Sequence, residues 1–286
     1  MTGLAFALVG TSAVMHATWN LLAKRVGGGM AAIWLYSTLA TVIYLPFAAA
    51  ILITQQTTLG LRELIFLGGS ILLHIAYYFL LQRGYKEGDL SLVYPLARGT
   101  GPMLSVVGAI LLLNETPSLG ALGGAGLVSA GVFILLGSPA ALRRGDNRTA
   151  IAYGLLCGLS IAAYTLWDKQ AVSALLIPPL FLTWAGNLAQ AVMLAPAAYR
   201  ERSALRAAWR DHRRAVLGVS ILDSLSYILF LIALSVGSVS LLAPLRQTSI
   251  LIGTFMGVRL LSEDASRRRL IAAAVMLSGL VALALG

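Results

Sequence analysis

The side chains best placed to do chemistry are the few ionisable groups that interrupt long apolar runs. Arg98, Arg246 and Asp223 each lie in a stretch otherwise suited to crossing a bilayer. A charge at the bilayer centre costs about 2.5–3.5 kcal/mol on insertion scales, so such a group marks a substrate or ion path by default. Arg98 follows Tyr94 by four residues and Pro95 by three, and Arg246 follows Pro244 by two. Pro95 has no N–H to donate and should disrupt the start of its helix, freeing carbonyls beside Arg98. Two guanidinium groups converging from different segments suit an anion, because arginine pairs bidentately with carboxylate or phosphate. The competing role is structural, each arginine capping carbonyls or pairing with a carboxylate.

Asp223 shares a helix face with Tyr227 at i+4. Its carboxylate suits a substrate ammonium, a coupling proton, or neutralisation of an arginine in a structural pair. His74 shares a face with Tyr77 and Tyr78. Imidazole titrates near neutrality and serves proton coupling or substrate hydrogen bonding, although a lone helical histidine is as readily an interior residue. A duplicated pattern adds aromatic groups. His16, Trp19 and Asn20 recur as Tyr164, Trp167 and Asp168 at an offset of 148. Facing one another, the two trios would line a cavity and stack indoles on an apolar or cationic group. Alternatively Trp19, Trp167 and Asp168 anchor helix ends at the headgroups, a role that suits Asp168-Lys169 if its helix ends there.

The elements that position these groups follow from composition. Of 286 residues, 58% are apolar and 11% charged, with mean hydropathy +0.85, against about 25% charged in a soluble domain. That excludes a soluble enzyme, a disordered chain and a disulfide scaffold. The apolar runs are continuous, which also excludes a barrel of alternating strands. About 20 apolar residues span the hydrocarbon as a helix. Ten segments qualify, near 3–22, 31–53, 64–82, 91–113, 118–137, 150–167, 177–197, 215–235, 238–260 and 270–285. The expected fold is an all-α membrane protein of ten transmembrane helices.

An ordered series of matches divides the chain. Leu67-Gly68-Gly69-Ser70-Ile71-Leu72 recurs as Leu217-Gly218-Val219-Ser220-Ile221-Leu222, offset by 150, and Ser91, Pro95 and Leu96 recur as Ser240, Pro244 and Leu245, offset by 149. Asn114-Glu115 matches Ser262-Glu263, and Gly131 matches Gly279, both offset by 148. By this alignment Arg98 corresponds to Gln247, one residue from Arg246. The halves are 1–140 and 149–286, joined by a basic linker from Arg143 to Arg148. Five helices is an odd number, so the second repeat enters from the opposite side. Inverted repeats are the architecture of secondary transporters with a midplane site.

"PLARGTGPMLSVVGAILLLNETPSLGALGGAGLVSAGVFILLG" and "APLRQTSILIGTFMGVRLLSEDASRRRLIAAAVMLSGLVALALG" resemble the paired ends of EamA-type proteins of the drug/metabolite transporter superfamily. An early proline in helices 4 and 9, a glutamate before helices 5 and 10, and a late glycine in each carry the resemblance. It implies a transporter of five plus five helices, in a family whose substrates range over amino acids, nucleotide precursors, amines, sugars and phosphorylated metabolites.

Of 21 Lys and Arg residues, 17 flank the odd-numbered loops and only Arg62 and Lys169 the even ones. The positive-inside rule therefore places both termini outside, whereas the resemblance implies termini inside; the loop charges are followed here. The expected location is a bacterial-type inner membrane. The basic Tyr199–Arg214 connection reads as an interfacial helix on anionic headgroups. Cys157 reads as packing, Glu115 and Glu263 as structural acids at the starts of the helices they precede, and the helix 5 glycines as close-packing positions. The sequon at Asn147 falls in a loop expected to be cytoplasmic.

No metal cluster, cofactor motif, Walker loop, HExxH or GxSxG is present. An intramembrane enzyme would need such a constellation, and nucleic-acid binding does not explain charge confined to loops. The residues expected to bind substrate are Arg98, Arg246, Asp223, His74, Tyr78, Tyr227, Tyr94, Trp19, His16 and Trp167. The expected substrate is a small anionic or zwitterionic metabolite of amino-acid type, with phosphonates or phosphorylated metabolites as the alternative. A proton or ion would provide coupling.

Overall fold

Continuous apolar runs with no water to satisfy the backbone leave helices as the available structure, and among the described residues every regular element of the computed structural model is α-helical. The structure describes residues 3–26, 29–54, 59–87, 90–136, 148–261 and 267–285. The Arg143–Arg148 linker up to 147, Asn147 of the sequon, and Ser262-Glu263 with the helix start that follows lie outside the described residues.

The helices are α1 (Gly3–Val26), α2 (Met30–Thr54), α3 (Leu61–Glu87), α4 (Leu90–Leu113), α5 (Leu119–Leu136), α6 (Arg148–Ser173), α7 (Pro179–Arg200), α8 (Arg202–Val236), α9 (Val239–Arg246), α10 (Thr248–Leu261) and α11 (Arg267–Leu285). Eight segments among the described residues are long and apolar enough to span a membrane, one of them formed by α9 running into α10; Leu119–Leu135 is apolar but shorter. Large side chains including Ile53, Leu61, Leu72, Leu111, Leu119 and Val192 face outward and exposed. So much outward apolar surface fits an integral membrane protein.

Two expectations require correction. The helix expected to end at 167 continues to Ser173, so Asp168 lies inside α6 and is fully buried; its headgroup role falls away. Pro95 does not break α4, which runs unbroken through Pro95 and Pro102. The break is in the second half, where α9 stops at Arg246 and α10 starts at Thr248. The basic 202–211 stretch is helical and joined to the apolar part of α8 across a kink at His212, with φ −133° and ψ 24°.

The packing partners are specific. α1 lies against α8, α9 and α10; α6 lies against α3 and α4; α2 packs on α7, and α5 on α11. α5 and α11 meet through glycine. A Cβ on Gly131 would stand 3.1 Å from the carbonyl oxygen of Ala272, and Gly124 meets Gly279 more closely still. Small residues allow that approach where lipid gives no hydrophobic drive for association.

Glu115 also departs from expectation, for it caps a helix other than the one it precedes. Asn114 adopts φ 54° after α4, a left-handed turn asparagine tolerates. That turn brings the Glu115 carboxylate to the start of α9, where the N–H groups of Val239 and Ser240 donate to it at 2.8 and 2.9 Å. On the other side of the corner, Lys169 Nζ donates to the carbonyls of Leu234 and Gly237 at 2.7 and 2.9 Å. An anion at a helix start and a cation at a helix end both match the macrodipole. The α8–α9 corner is thereby fixed, and with it Arg246.

Candidate functional site

α4 and α9 deliver one arginine each. The Arg98 guanidinium lies over the ring of Tyr94, one turn earlier, with Cζ 5.5 Å from its centroid. Arg246 lies over two rings of α8, 5.0 Å from Tyr227 and 4.3 Å from Phe230. Aromatic faces attract a desolvated cation and leave its N–H groups free. Among the described residues no carboxylate lies within ion-pair distance of either arginine, and Nε of each is buried without a hydrogen-bond partner. The structural pairing considered from sequence is not formed. The fields of both arginines reach His16 and Asp223, and Arg246 also feels Arg98, Asp223 and Asp168, so two like charges are held near one another without a direct ion pair. Two guanidinium groups without an ion-pair partner can hold an anion.

Asp223 is half-buried on α8. Its backbone carbonyl accepts the Ser226 hydroxyl at 2.8 Å, while its carboxylate forms no ion pair among the described residues. Tyr227, one turn on, turns its hydroxyl to Asp168 of α6 at 2.5 Å. His74 of α3 completes this group: its ring stacks on Tyr164 with centroids 4.2 Å apart and meets Tyr227 edge-on at 5.6 Å. Tyr77 contacts Tyr164 edge-on at 5.9 Å. Side chains of α3, α6, α8 and α9 thus form one contacting polar and aromatic cluster inside an apolar molecule, and His16 of α1 and Arg98 of α4 lie within its electrostatic reach.

The remaining expected residues divide. His16 is buried at the cluster, with Trp19 edge-on at 5.0 Å; the Trp19 Nε1 and His16 Nδ1 have no partner. Trp167 behaves differently from its sequence counterpart. It stacks on Phe66 at 4.4 Å, donates from Nε1 to the Phe66 carbonyl at 2.9 Å, and covers Gly69 so closely that a Cβ there would meet the indole. Its polar edge is occupied by structure. Tyr78 accepts from Gln82 Nε2 at 3.2 Å on its own helix, and it is Tyr77 that joins the cluster. Asp168, Tyr164 and Tyr77 are not among the residues expected from sequence to bind substrate. The signal for the first two was present in the duplicated trio, where Asp168 matches Asn20 and Tyr164 matches His16.

With this geometry in view, relatives can be weighed. The EamA-like transporter family model matches residues 148–285. The chain's second half is an EamA-like transporter domain, of the drug/metabolite transporter superfamily. The crystal structure of another protein aligns over 100% of this chain and 98% of its own, with TM-score 0.81 and 18% sequence identity. That likeness shows a shared fold. No curated protein sequence matches the chain. The EamA-like match supports a membrane transporter.

Proposed function

We propose that this protein is a secondary transporter that moves a small anionic or zwitterionic solute, of amino-acid type, by alternating access around Arg98 and Arg246. The observation that carries the reading is the pair of unneutralised guanidinium groups, each seated on aromatic rings. A substrate carboxylate would bridge them, and Asp223 would take an accompanying ammonium. His16, Trp19, Tyr94 and Tyr227 would line the site, with His74 beyond Tyr227. Phosphonates and phosphorylated metabolites are the second reading, favoured by the two arginines wherever Asp223 has no ammonium to bind.

The moving bodies are the repeats, 1–140 and 149–286, related by a twofold axis in the membrane plane. Helix packing supports this. α1 on α8 corresponds, after exchange of halves, to α6 on α3; α1 on α9 corresponds to α6 on α4; α2–α7 and α5–α11 map onto themselves. The alignment offset of 148 carries the Gly124–Gly279 contact onto Gly131–Ala272, which is also formed. From the Lys and Arg bias, both termini lie outside a bacterial-type inner membrane.

The test is a thermal-shift and counterflow screen of purified protein against amino acids, phosphonates, sugar phosphates and amines. Stabilisation and exchange are expected with an anionic or zwitterionic compound. Response to cationic amines alone would contradict the reading.

A further inference from the structure

Asp168 is fully buried on α6, and its two oxygens differ sharply. Oδ2 accepts the Tyr227 hydroxyl, while Oδ1 is buried with no partner. A carboxylate left half-satisfied away from water is poorly supported as an anion. The groups facing it are Ser70 and His74 from α3, Tyr164 from α6, Tyr227 from α8 and, through its charge, Arg246 from α9. Arg98 of α4 acts on Tyr164. Lys169, the next residue, is directed away to the Leu234 and Gly237 carbonyls.

His74 supplies a route. Its Nδ1 lies 2.9 Å from the Ser70 carbonyl, which only accepts, so Nδ1 carries the hydrogen and Nε2 a bare lone pair. That Nε2 is 3.9 Å from Asp168 Oδ2, and the His74 side chain is 37% exposed. A half-exposed proton acceptor therefore borders a buried acid.

We propose that Asp168 is the proton-carrying group of the transport cycle, loaded through His74 and coupled to the substrate through Tyr227 and Arg246. A proton from water binds His74 Nε2 to give imidazolium and passes to the Asp168 carboxylate, leaving a neutral carboxyl and a neutral imidazole. Arg246 lies over the Tyr227 ring, and the Tyr227 hydroxyl is bonded to Asp168. The Arg246 charge supports the Asp168 anion until an anionic substrate neutralises it; Asp168 then takes up a proton. By reciprocity, acid tightens anion binding. Proton and anion load together, the sense of a symporter. This inference rests on the transporter reading above.

The experiment uses proteoliposomes of the full chain with radiolabelled amino acids, methylphosphonate and sugar phosphates as probes, and a pH dye inside. The wild type should exchange a probe in counterflow, and an inward proton gradient should drive its accumulation with internal acidification. Asp168→Asn should keep the wild-type melting temperature but lose gradient-driven accumulation and acidification, and Asp168→Glu should restore both. An infrared titration of purified protein should show a protonated-carboxyl band that Asp168→Asn removes. Accumulation that survives Asp168→Asn, or wild-type exchange driven by sodium and indifferent to protons, would overturn the proposal alone. Absence of wild-type counterflow with every probe would overturn the transporter reading and the proposal with it.

Discussion

A Cβ placed on Gly124 would stand 2.7 Å from the carbonyl oxygen of Gly279, and a Cβ on Gly279 would stand 2.7 Å from that of Gly124. The contact is reciprocal and backbone to backbone. The nearest atoms on both sides are backbone, which cannot swing away as the end of a flexible side chain can.

Gly124→Val should therefore destabilise the protein by about 1–3 kcal/mol, the usual cost of overpacking a close contact. Gly123→Ala, with open space around its Cβ position, should be neutral. Melting temperatures of the two variants in detergent check this. Equal melting would show that the α5–α11 crossing is not tight.

Glu115→Ala should remove two charge-assisted bonds at the start of α9 and cost about 2 kcal/mol. Because the carboxylate holds the corner that places Arg246, substrate affinity should fall along with the melting temperature. If Glu115 instead served only α5, the helix it precedes, stability would drop while affinity stayed at the wild-type level.

The two tryptophans of the duplicated pattern should behave oppositely. Trp167→Phe loses the bond to the Phe66 carbonyl and should cost about 1 kcal/mol of stability with transport retained. Trp19→Phe removes a buried donor that has no partner, so stability should hold and substrate affinity should weaken. Matched melting and uptake curves separate the roles.

Much of this architecture was legible in the chain because hydrocarbon imposes a length rule and a charge rule. Continuous apolar runs gave the helices, and Arg98, Arg246 and Asp223 stood out as charges where charge is costly. The site was less legible because its partners come from six helices far apart in sequence. Asp168 was misplaced because Asp-Lys imitates a helix end; only the packing of α3 and α8 on α6 shows it buried beside His74 and Tyr227. Pro95 and Pro244 read alike in one dimension, yet only the second-half helix breaks. Glu115 reads as a local cap, and no local pattern reveals that the Asn114 turn sends it across to α9.

The paired arginines are the centre of the account. Thermal stabilisation of wild type, Arg98→Gln and Arg246→Gln should be measured against amino acids, phosphonates, sugar phosphates and the amines that lack their anionic groups. At least one carboxylate or phosphonate should stabilise the wild type, and its amine counterpart should not. Either substitution should weaken binding at least about tenfold, the loss expected for a charged hydrogen bond. Stabilisation by the amines alone, or anion binding unchanged in both variants, would contradict it.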